Sequence, residues 1–357
     1  MKYNKAFNIN KNKISLDSPT YFIADIAANH DNDIEKAKEL IWLAAEAGAD
    51  AAKFQHFTAK TIVSDYGFKS LGGKMSHQSN WEKSVYETYE DASLNIDWTD
   101  TLLQTCKEAN IDFFTSPYSI PIVDTVDPYV PAYKVGSGDI TYIEIIEHMA
   151  QKGKPVLLAT GASNFSDVKR AVNSILKHTR DIALMQCNTN YTASVENFNY
   201  INLNVLNAYR KEFPDMILGL SDHTKGDTTV LAAIALGARV IEKHFTDDNN
   251  RKGPDHAFSM NPKSWRAMVD RSREVEMSMG TGIKIVEGNE QESVILQRRC
   301  IRLTKNLPAN HIITEGDIES LRPAPLNSYL PFEKDEVLGK ALKKAKDQGD
   351  AIFKGDI

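Results

Sequence analysis

Short apolar runs of the length of buried strands recur along the first two thirds of the chain. The eight runs are residues 21–27, 49–55, 111–116, 132–137, 155–160, 182–187, 216–221 and 239–245. Most are separated by a stretch with helical periodicity, and the first such stretch, residues 33–48, places its apolar side chains on one face and stops at Gly48. Runs of this kind are typical of parallel strands that are buried on both faces.

Eight β-then-α units predict an α/β fold, a (β/α)8 TIM barrel, over residues 1–282. A doubly wound open sheet would give the same alternation. We favour the barrel because no GxGxxG or GxxxxGK[ST] motif follows any run, which removes support for the nucleotide-binding open sheets.

The connection after the second run, residues 57–97, is unusually long. It is polar and aromatic, and it contains Gly72, Gly73, His77 and Trp81. A connection of this length is typical either of a lid or binding loop or of a plain surface insertion, and the sequence leaves both open.

The pattern changes after Gly280. Residues 283–295 read as a charged linker, and residues 296–357 as a small second domain. Residues 310–318 (NHIITEGDI) and 349–357 (GDAIFKGDI) both end in Gly-Asp-Ile. This faint repeat, with its β-branched runs and prolines, predicts a compact β-rich module whose halves resemble each other.

Composition narrows the classes of partner. With 42 Lys and Arg against 48 Asp and Glu, the net charge of −6 provides no basic field for nucleic acid or an acidic membrane. The three cysteines form no CxxC pair, and no apolar stretch is long enough for a membrane span. We therefore expect a reduced, cytoplasmic protein with no nucleic-acid or membrane partner.

Two lysines lie within apolar runs, and hydroxyl side chains lie at the ends of nearby runs. Burying Lys53 and Lys134 without partners is costly, so each needs an anion. With the hydroxyls of Ser116 and Ser137 they would suit a phosphate plus a carboxylate. The alternative is that each lysine forms a buried ion pair with a carboxylate of the barrel.

Two histidines end neighbouring runs. His223 and His244 could converge on one divalent cation, although either could instead be a hydrogen-bonded structural residue. Asp25 and Asp139 could orient water or act as a general base, or could simply hold a Lys or His in place.

Read together, these motifs resemble the sialic acid synthase family, which condenses phosphoenolpyruvate with N-acylated amino sugars. The matching segments are IADIAANHD (23–31), AKFQ (52–55), YKVGSGD (133–139), ATG (159–161), GLSDHT (219–224), EKHFTDD (242–248) and GPDHAFSMNP (253–262). LRP (321–323) and the terminal GDAIFKGDI resemble the family's small antifreeze-like (SAF, β-clip) domain.

The resemblance implies a role for each matching residue. Lys53, Lys134, Ser116 and Ser137 would hold phosphoenolpyruvate, and His223 and His244 a divalent metal ion, usually Mn²⁺, with Mg²⁺ or Co²⁺ as alternatives. Asp255 would contact the sugar, and Arg322 would reach its N-acyl group from the partner subunit of a domain-swapped homodimer. The other residues that we expect to bind substrate are Gln55, Thr160, Thr189, Tyr191 and Ser221.

The chain departs from the family pattern at three positions that bear on the site. Asp25 and Asp139 stand where glutamate is common, and Ala159 replaces a common serine, whose phosphate contact Thr160 could take over. The sequence does not decide whether Asp25 or Asp139 orients the water.

The expected product is a nine-carbon 2-keto-3-deoxy sugar acid for surface glycans, of the sialic, legionaminic or pseudaminic type. The acceptor would be N-acetylmannosamine or a 2,4-diacetamido-2,4,6-trideoxyhexose. Two alternatives remain: a 3-deoxy-octulosonate phosphate synthase-like enzyme, which needs a second phosphate site, and a catalytically silent sugar-binding barrel.

Overall fold

A computed structural model of the protein describes residues 2–72, 78, 79 and 81–357. The chain forms two compact units, residues 1–279 and 280–357. No helix in the described part of the chain is long and apolar enough to cross a membrane. Gly73 and His77 of the long connection lie outside the described residues.

The first unit opens with an antiparallel hairpin that the sequence analysis did not predict. Its strands are β1 (Ala6–Ile9) and β2 (Asn12–Ser15). Phe7, Ile9 and Ile14 pack against side chains from the barrel interior. This hairpin therefore covers one end of the barrel.

Eight parallel strands form the barrel. They are β3 (Tyr21–Asp25), β4 (Ala51–His56), β5 (Asp112–Pro117), β6 (Tyr133–Val135), β7 (Val156–Ala159), β8 (Ile182–Cys187), β9 (Ile217–Asp222) and β10 (Ala238–His244). The hydrogen-bonded order runs from β5 through β4, β3, β10, β9, β8 and β7 to β6, and the two end strands contact each other. The predicted (β/α)8 barrel is confirmed, and the open sheet is excluded.

The helices of the first unit pack around the strands. They are α1 (Ile34–Glu46), α2 (Ala59–Ile62), α3 (Asp65–Ser70), α4 (Val85–Asp91), α5 (Thr99–Glu108), α6 (Ile120–Val126), α7 (Ile143–Gln151), α8 (Phe165–Ile175), α9 (Val205–Glu212), α10 (Thr228–Ala235) and α11 (Pro262–Ser278). Asp33 caps α1 and Asn261 caps α11, each through a side-chain oxygen that accepts from a backbone N–H of the first turn. The long connection contains α2, α3 and α4.

The second unit is small and largely antiparallel. It contains α12 (Gln291–Gln297), β11 (Cys300–Leu303), β12 (Ile318–Leu321) and α13 (Lys334–Val337), around an apolar core of its own. The two Gly-Asp-Ile segments make the same turn. The Asp317 carboxylate accepts from the Thr314 N–H at 2.8 Å, and the Asp356 carboxylate accepts from the Phe353 N–H at 2.8 Å.

Candidate active site

A cavity of about 420 Å³ opens where the barrel strands end. One side is formed by strand ends and the loops that follow them, through Gln55, Ser137, Asp139, Thr189, Tyr191, His244 and Asp255. The opposite side is formed by the long connection, through Phe57, Ile62, Gln78, Trp81, Thr88, Tyr89 and Ala92. The connection is therefore part of the site and not a plain surface insertion.

Both predicted lysines are buried, and both pair with carboxylates. Lys53 Nζ lies 2.6 Å from Asp25 Oδ2, and Lys134 Nζ lies 2.9 Å from Glu242 Oε1. Lys53 Nζ is also 3.8 Å from Glu242 Oε1, which links the two pairs. Burial alone would lower the pKa of Lys53, but Asp25 and Glu242 raise it, so the ammonium stays charged.

The structure gives Glu242 a role that the sequence analysis missed. In β10, Glu242 and His244 are two residues apart and therefore face the same side, the barrel interior. Glu242 Oε1 also accepts from Ser221 Oγ at 3.2 Å, while Oε2 is buried with no hydrogen-bond partner in the described structure. The alternation of β10 was the signal that could have found it.

The predicted hydroxyls differ in what they contact. Ser116 Oγ and Thr189 Oγ1 are buried without a hydrogen-bond partner among the described residues. Ser137 Oγ accepts from the Gly161 N–H at 3.0 Å. Thr160 Oγ1 donates to the Met185 carbonyl at 3.1 Å and accepts from Tyr209 at 2.9 Å.

Gly161 lies where no side chain fits. A Cβ at this position would come within 2.0 Å of Thr189 Oγ1 and 3.0 Å of Ser137 Oγ. The glycine of the Ala-Thr-Gly segment therefore lets the loop after β7 approach both hydroxyls closely.

The two histidines converge, as predicted. Their ring centroids are 5.3 Å apart, and the Tyr191 ring lies 4.3 Å from that of His223. His223 Nδ1 donates to the Asn188 carbonyl at 2.9 Å, which leaves Nε2 as the basic nitrogen. Burial lowers the pKa of His244 to about 3, so its imidazole is neutral.

The carboxylates around these rings are placed differently. His244 Nε2 is 3.6 Å from Asp25 Oδ2, and His244 Nδ1 is 3.7 Å from Asp255 Oδ2. Asp25 also accepts from Gln55 Nε2 at 3.2 Å. Asp139 lies apart from this network on the cavity wall, and burial raises its pKa to about 6.

The comparisons with known proteins identify the family of the chain. Residues 40–284 match the NeuB family. The chain belongs to the NeuB family. The predicted membership in the sialic acid synthase family and the predicted enzyme class, a carbon–carbon bond-forming transferase, are both confirmed.

Several relatives match this NeuB chain over most of their length. The N,N'-diacetyllegionaminic acid synthase of Campylobacter jejuni is 33% identical over 91% of the chain and 96% of the relative. The pseudaminic acid synthase of the same species is 30% identical over 96% and 98%. A crystal structure of the N-acetylneuraminic acid synthetase of Leptospira borgpetersenii, in complex with citrate, matches with a TM-score of 0.71 and 26% identity, over 82% and 96%.

One predicted site residue of this NeuB protein lies outside the barrel. Arg322 belongs to the second unit, where its Nε donates to the Gln297 carbonyl at 2.6 Å.

Proposed function

We propose that this protein condenses phosphoenolpyruvate with an open-chain, N-acylated amino sugar and water. The products are a nine-carbon 2-keto-3-deoxy sugar acid, which enters surface glycan biosynthesis, and inorganic phosphate. The observation that carries the proposal is the pair of buried, carboxylate-paired lysines, Lys53 and Lys134, in a NeuB chain. Each lies two residues before a residue that lines the cavity, Gln55 and Gly136 respectively.

The lysines would bind the two anionic ends of phosphoenolpyruvate. Each ammonium already has a carboxylate partner, so substrate binding must redistribute these contacts and not create a new charge in the core. Ser116 supports this assignment because its buried hydroxyl has no partner in the described structure and is available to an anion oxygen.

His223 and His244 fit a divalent cation, most simply Mn²⁺. The two rings lie close together, and His244 Nδ1 is buried without a hydrogen-bond partner among the described residues. No three His, Cys, Asp or Glu side chains of the described chain converge as a complete metal site, so water and substrate would supply the other ligands. A cation held there would polarise the sugar aldehyde.

For this reaction the protein must orient the two substrates, stabilise charge and transfer protons. C3 of phosphoenolpyruvate forms a bond to the aldehyde carbon, whose oxygen takes a proton, and water adds at C2. The resulting hemiketal phosphate loses inorganic phosphate by C–O cleavage. Lys53 and Lys134 stabilise the charges throughout and form no covalent bond to substrate.

Asp139 is the better placed of the two aspartates to take a proton from this water. Asp25 is engaged by Lys53 and Gln55, whereas Asp139 faces the cavity with a pKa close to neutrality. We assign Asp25 to holding Lys53 in place.

The second unit would serve as the antifreeze-like domain of a domain-swapped homodimer. In that arrangement Arg322 contacts the N-acyl group of a sugar bound in the barrel of the partner subunit. The terminal Gly-Asp-Ile repeat and the exposed guanidinium support this assignment.

Phosphate release from phosphoenolpyruvate in the presence of Mn²⁺ tests the proposal. We expect release only when an N-acylated amino sugar is present, and loss of release with a chelator. Lys134→Met should raise the KM for phosphoenolpyruvate at least 100-fold, because it removes an anion contact and leaves Glu242 with only its longer, 3.8 Å contact to Lys53. Sugar-independent release, or none with any N-acylated amino sugar, would refute the proposal.

A further inference from the structure

The long connection gives the cavity an aromatic side. Phe57 and Tyr89 lie with ring centroids 5.5 Å apart, and Trp81 and Tyr89 with centroids 6.3 Å apart. Tyr118, from the end of β5, lies 5.8 Å from Phe57. We call these four side chains, all of which line the cavity, the aromatic wall.

The aromatic wall is held in place by local structure. Tyr89 lies on α4, whose N-terminus is closed by reciprocal hydrogen bonds between Ser84 and Glu87. Val85 of the same helix is buried. The ring of Tyr89 is therefore a preformed surface of the cavity.

The charge of the described cavity lining disfavours one class of acceptor, sugar phosphates. No described lining residue is a lysine or arginine, whereas Asp139 and Asp255 both line it. Lys53 and Lys134 do not line the cavity, and each is paired with a carboxylate, Asp25 and Glu242 respectively. Against the described lining, a phosphate on the sugar would lie beside carboxylates, with no lysine or arginine side chain to pair with it.

The aromatic wall favours apolar substituents over hydroxyls. A hydroxyl placed against aromatic rings loses its hydrogen bonds to water, whereas a methyl group gains contact there. Asp255, His244 and Gln55 on the opposite side remain for the hydroxyls and the aldehyde of the open-chain sugar. The two sides of the cavity thus fit an amphipathic sugar.

From this geometry we propose that the aromatic wall selects an unphosphorylated 2,4-diacetamido-2,4,6-trideoxyhexose over N-acetylmannosamine. The inference rests on the proposed function, and it assigns specificity to Tyr89 and its neighbours on the long connection. The 6-methyl and one acetamido methyl group lie against the wall, while the polar edge of the sugar faces Asp255.

The test compares kcat/KM for the trideoxyhexose, N-acetylmannosamine and N-acetylmannosamine 6-phosphate. Discrimination by an apolar surface against an added hydroxyl is about 10- to 100-fold, so we expect the trideoxyhexose to be preferred by that factor. The phosphorylated sugar should be the poorest. Tyr89→Ala should reduce the preference about tenfold, chiefly by raising KM for the trideoxyhexose.

Tyr66→Ala is the matched control, because Tyr66 lies on the same connection, in α3, but is 84% exposed. It should leave all three values unchanged. A wild-type preference for either other sugar would overturn the inference, as would an equal loss for all sugars in the Tyr89→Ala variant.

Calorimetric binding of each sugar separates this inference from the proposed function. If no sugar supports phosphate release, the proposed function fails, yet the wall still predicts at least tenfold tighter binding of the trideoxyhexose. Equal binding of the trideoxyhexose and N-acetylmannosamine would overturn the specificity assignment whatever the turnover.

Discussion

Lys243 and Asp222 form a buried ion pair beside the two histidines. Lys243 Nζ donates to the Thr224 carbonyl at 2.6 Å as well as to Asp222, whose carboxylate also accepts from the hydroxyls of Thr224 and Thr229. Both charged side chains are 1% exposed. The pair joins the ends of β9 and β10, the two strands that lead to His223 and His244.

Lys243→Met should lower the free energy of unfolding by about 3–5 kcal/mol, because it leaves the Asp222 carboxylate buried without its cation. Urea denaturation measures this loss. Lys177→Met, which removes an exposed pair with Glu147, is the control and should leave the midpoint unchanged. Equal midpoints for Lys243→Met and wild type would contradict the structural role of the pair.

Asp139 sets the expected dependence of the reaction on pH. Its carboxylate is ionised above a pKa of about 6 and protonated below it, so a step that needs the base slows as pH falls through that value. We expect kcat/KM to fall about tenfold per unit below this pH, and Asp139→Asn to lose at least 100-fold at neutral pH and to remove this limb. An unchanged acidic limb in the variant would contradict the assignment.

The same group affects stability in the opposite direction. Its folded pKa lies above the unfolded value near 4, so the folded state favours the proton and stability declines as pH rises from about 4 to about 6. Asp50 has its pKa raised to about 6 by burial as well, so only the difference between wild type and Asp139→Asn isolates Asp139. The asparagine variant should gain in relative stability across this window, as measured by urea denaturation at each pH.

At the scale of elements, β9 and β10 meet at an irregular point of the sheet. The register shifts between Ala238 and Val240, opposite Leu218 and Gly219. A Cβ on Gly219 would lie 2.5 Å from the Val240 carbonyl oxygen and 2.9 Å from Met185 Cγ. Only glycine allows the strands to approach this closely.

Gly219→Ala should therefore destabilise the barrel by about 1–3 kcal/mol and reduce activity, because it forces apart the strands that lead to the two histidines. Gly138→Ala, where a Cβ would meet open space, is the control for thermal stability. A Gly219→Ala variant as stable and active as wild type would contradict this account of the strand contact.

The barrel was predictable because each strand is a nearly continuous apolar run. β8 (Ile182–Cys187) matches its predicted bounds, whereas β6 is shorter than expected because the chain turns at Ser137–Asp139. The N-terminal hairpin was missed because Phe7, Ile9 and Ile14 are isolated among polar residues. The aromatic wall was missed because it brings together Phe57, Trp81 and Tyr89 from separate parts of one long connection.

The residues of the candidate site at the strand ends could be predicted from the sequence, whereas the contacts between their side chains could be predicted less well. The topology of a barrel brings Lys53, Lys134, His223 and His244 toward the same end of the barrel, independently of the conformation of the loops. The partners of the lysines depend on which face each side chain takes, and this is why Glu242 was overlooked although it precedes His244 by two residues.

At the scale of the whole molecule, the proposed domain swap makes each site depend on two chains. An Arg322→Ala subunit keeps a complete barrel, and a Lys53→Met subunit keeps a complete second unit. A mixed dimer would then contain one intact site.

Co-expression of these two variants should restore activity to about a quarter of the wild-type value, since half of the dimers are mixed and each has one working site. Each variant alone should be nearly inactive. Failure of the mixture to exceed the sum of the two variants would contradict the swap, provided that native mass spectrometry shows that mixed dimers form.

Mass spectrometry of the product formed from phosphoenolpyruvate labelled with ¹³C at all three carbons tests the central claim most directly. With Mn²⁺ and an N-acylated amino sugar, we predict a sugar acid that carries all three labelled carbons, formed in equal amount to inorganic phosphate. Labelled pyruvate with unchanged sugar, or a product that retains the phosphate, would contradict the condensation.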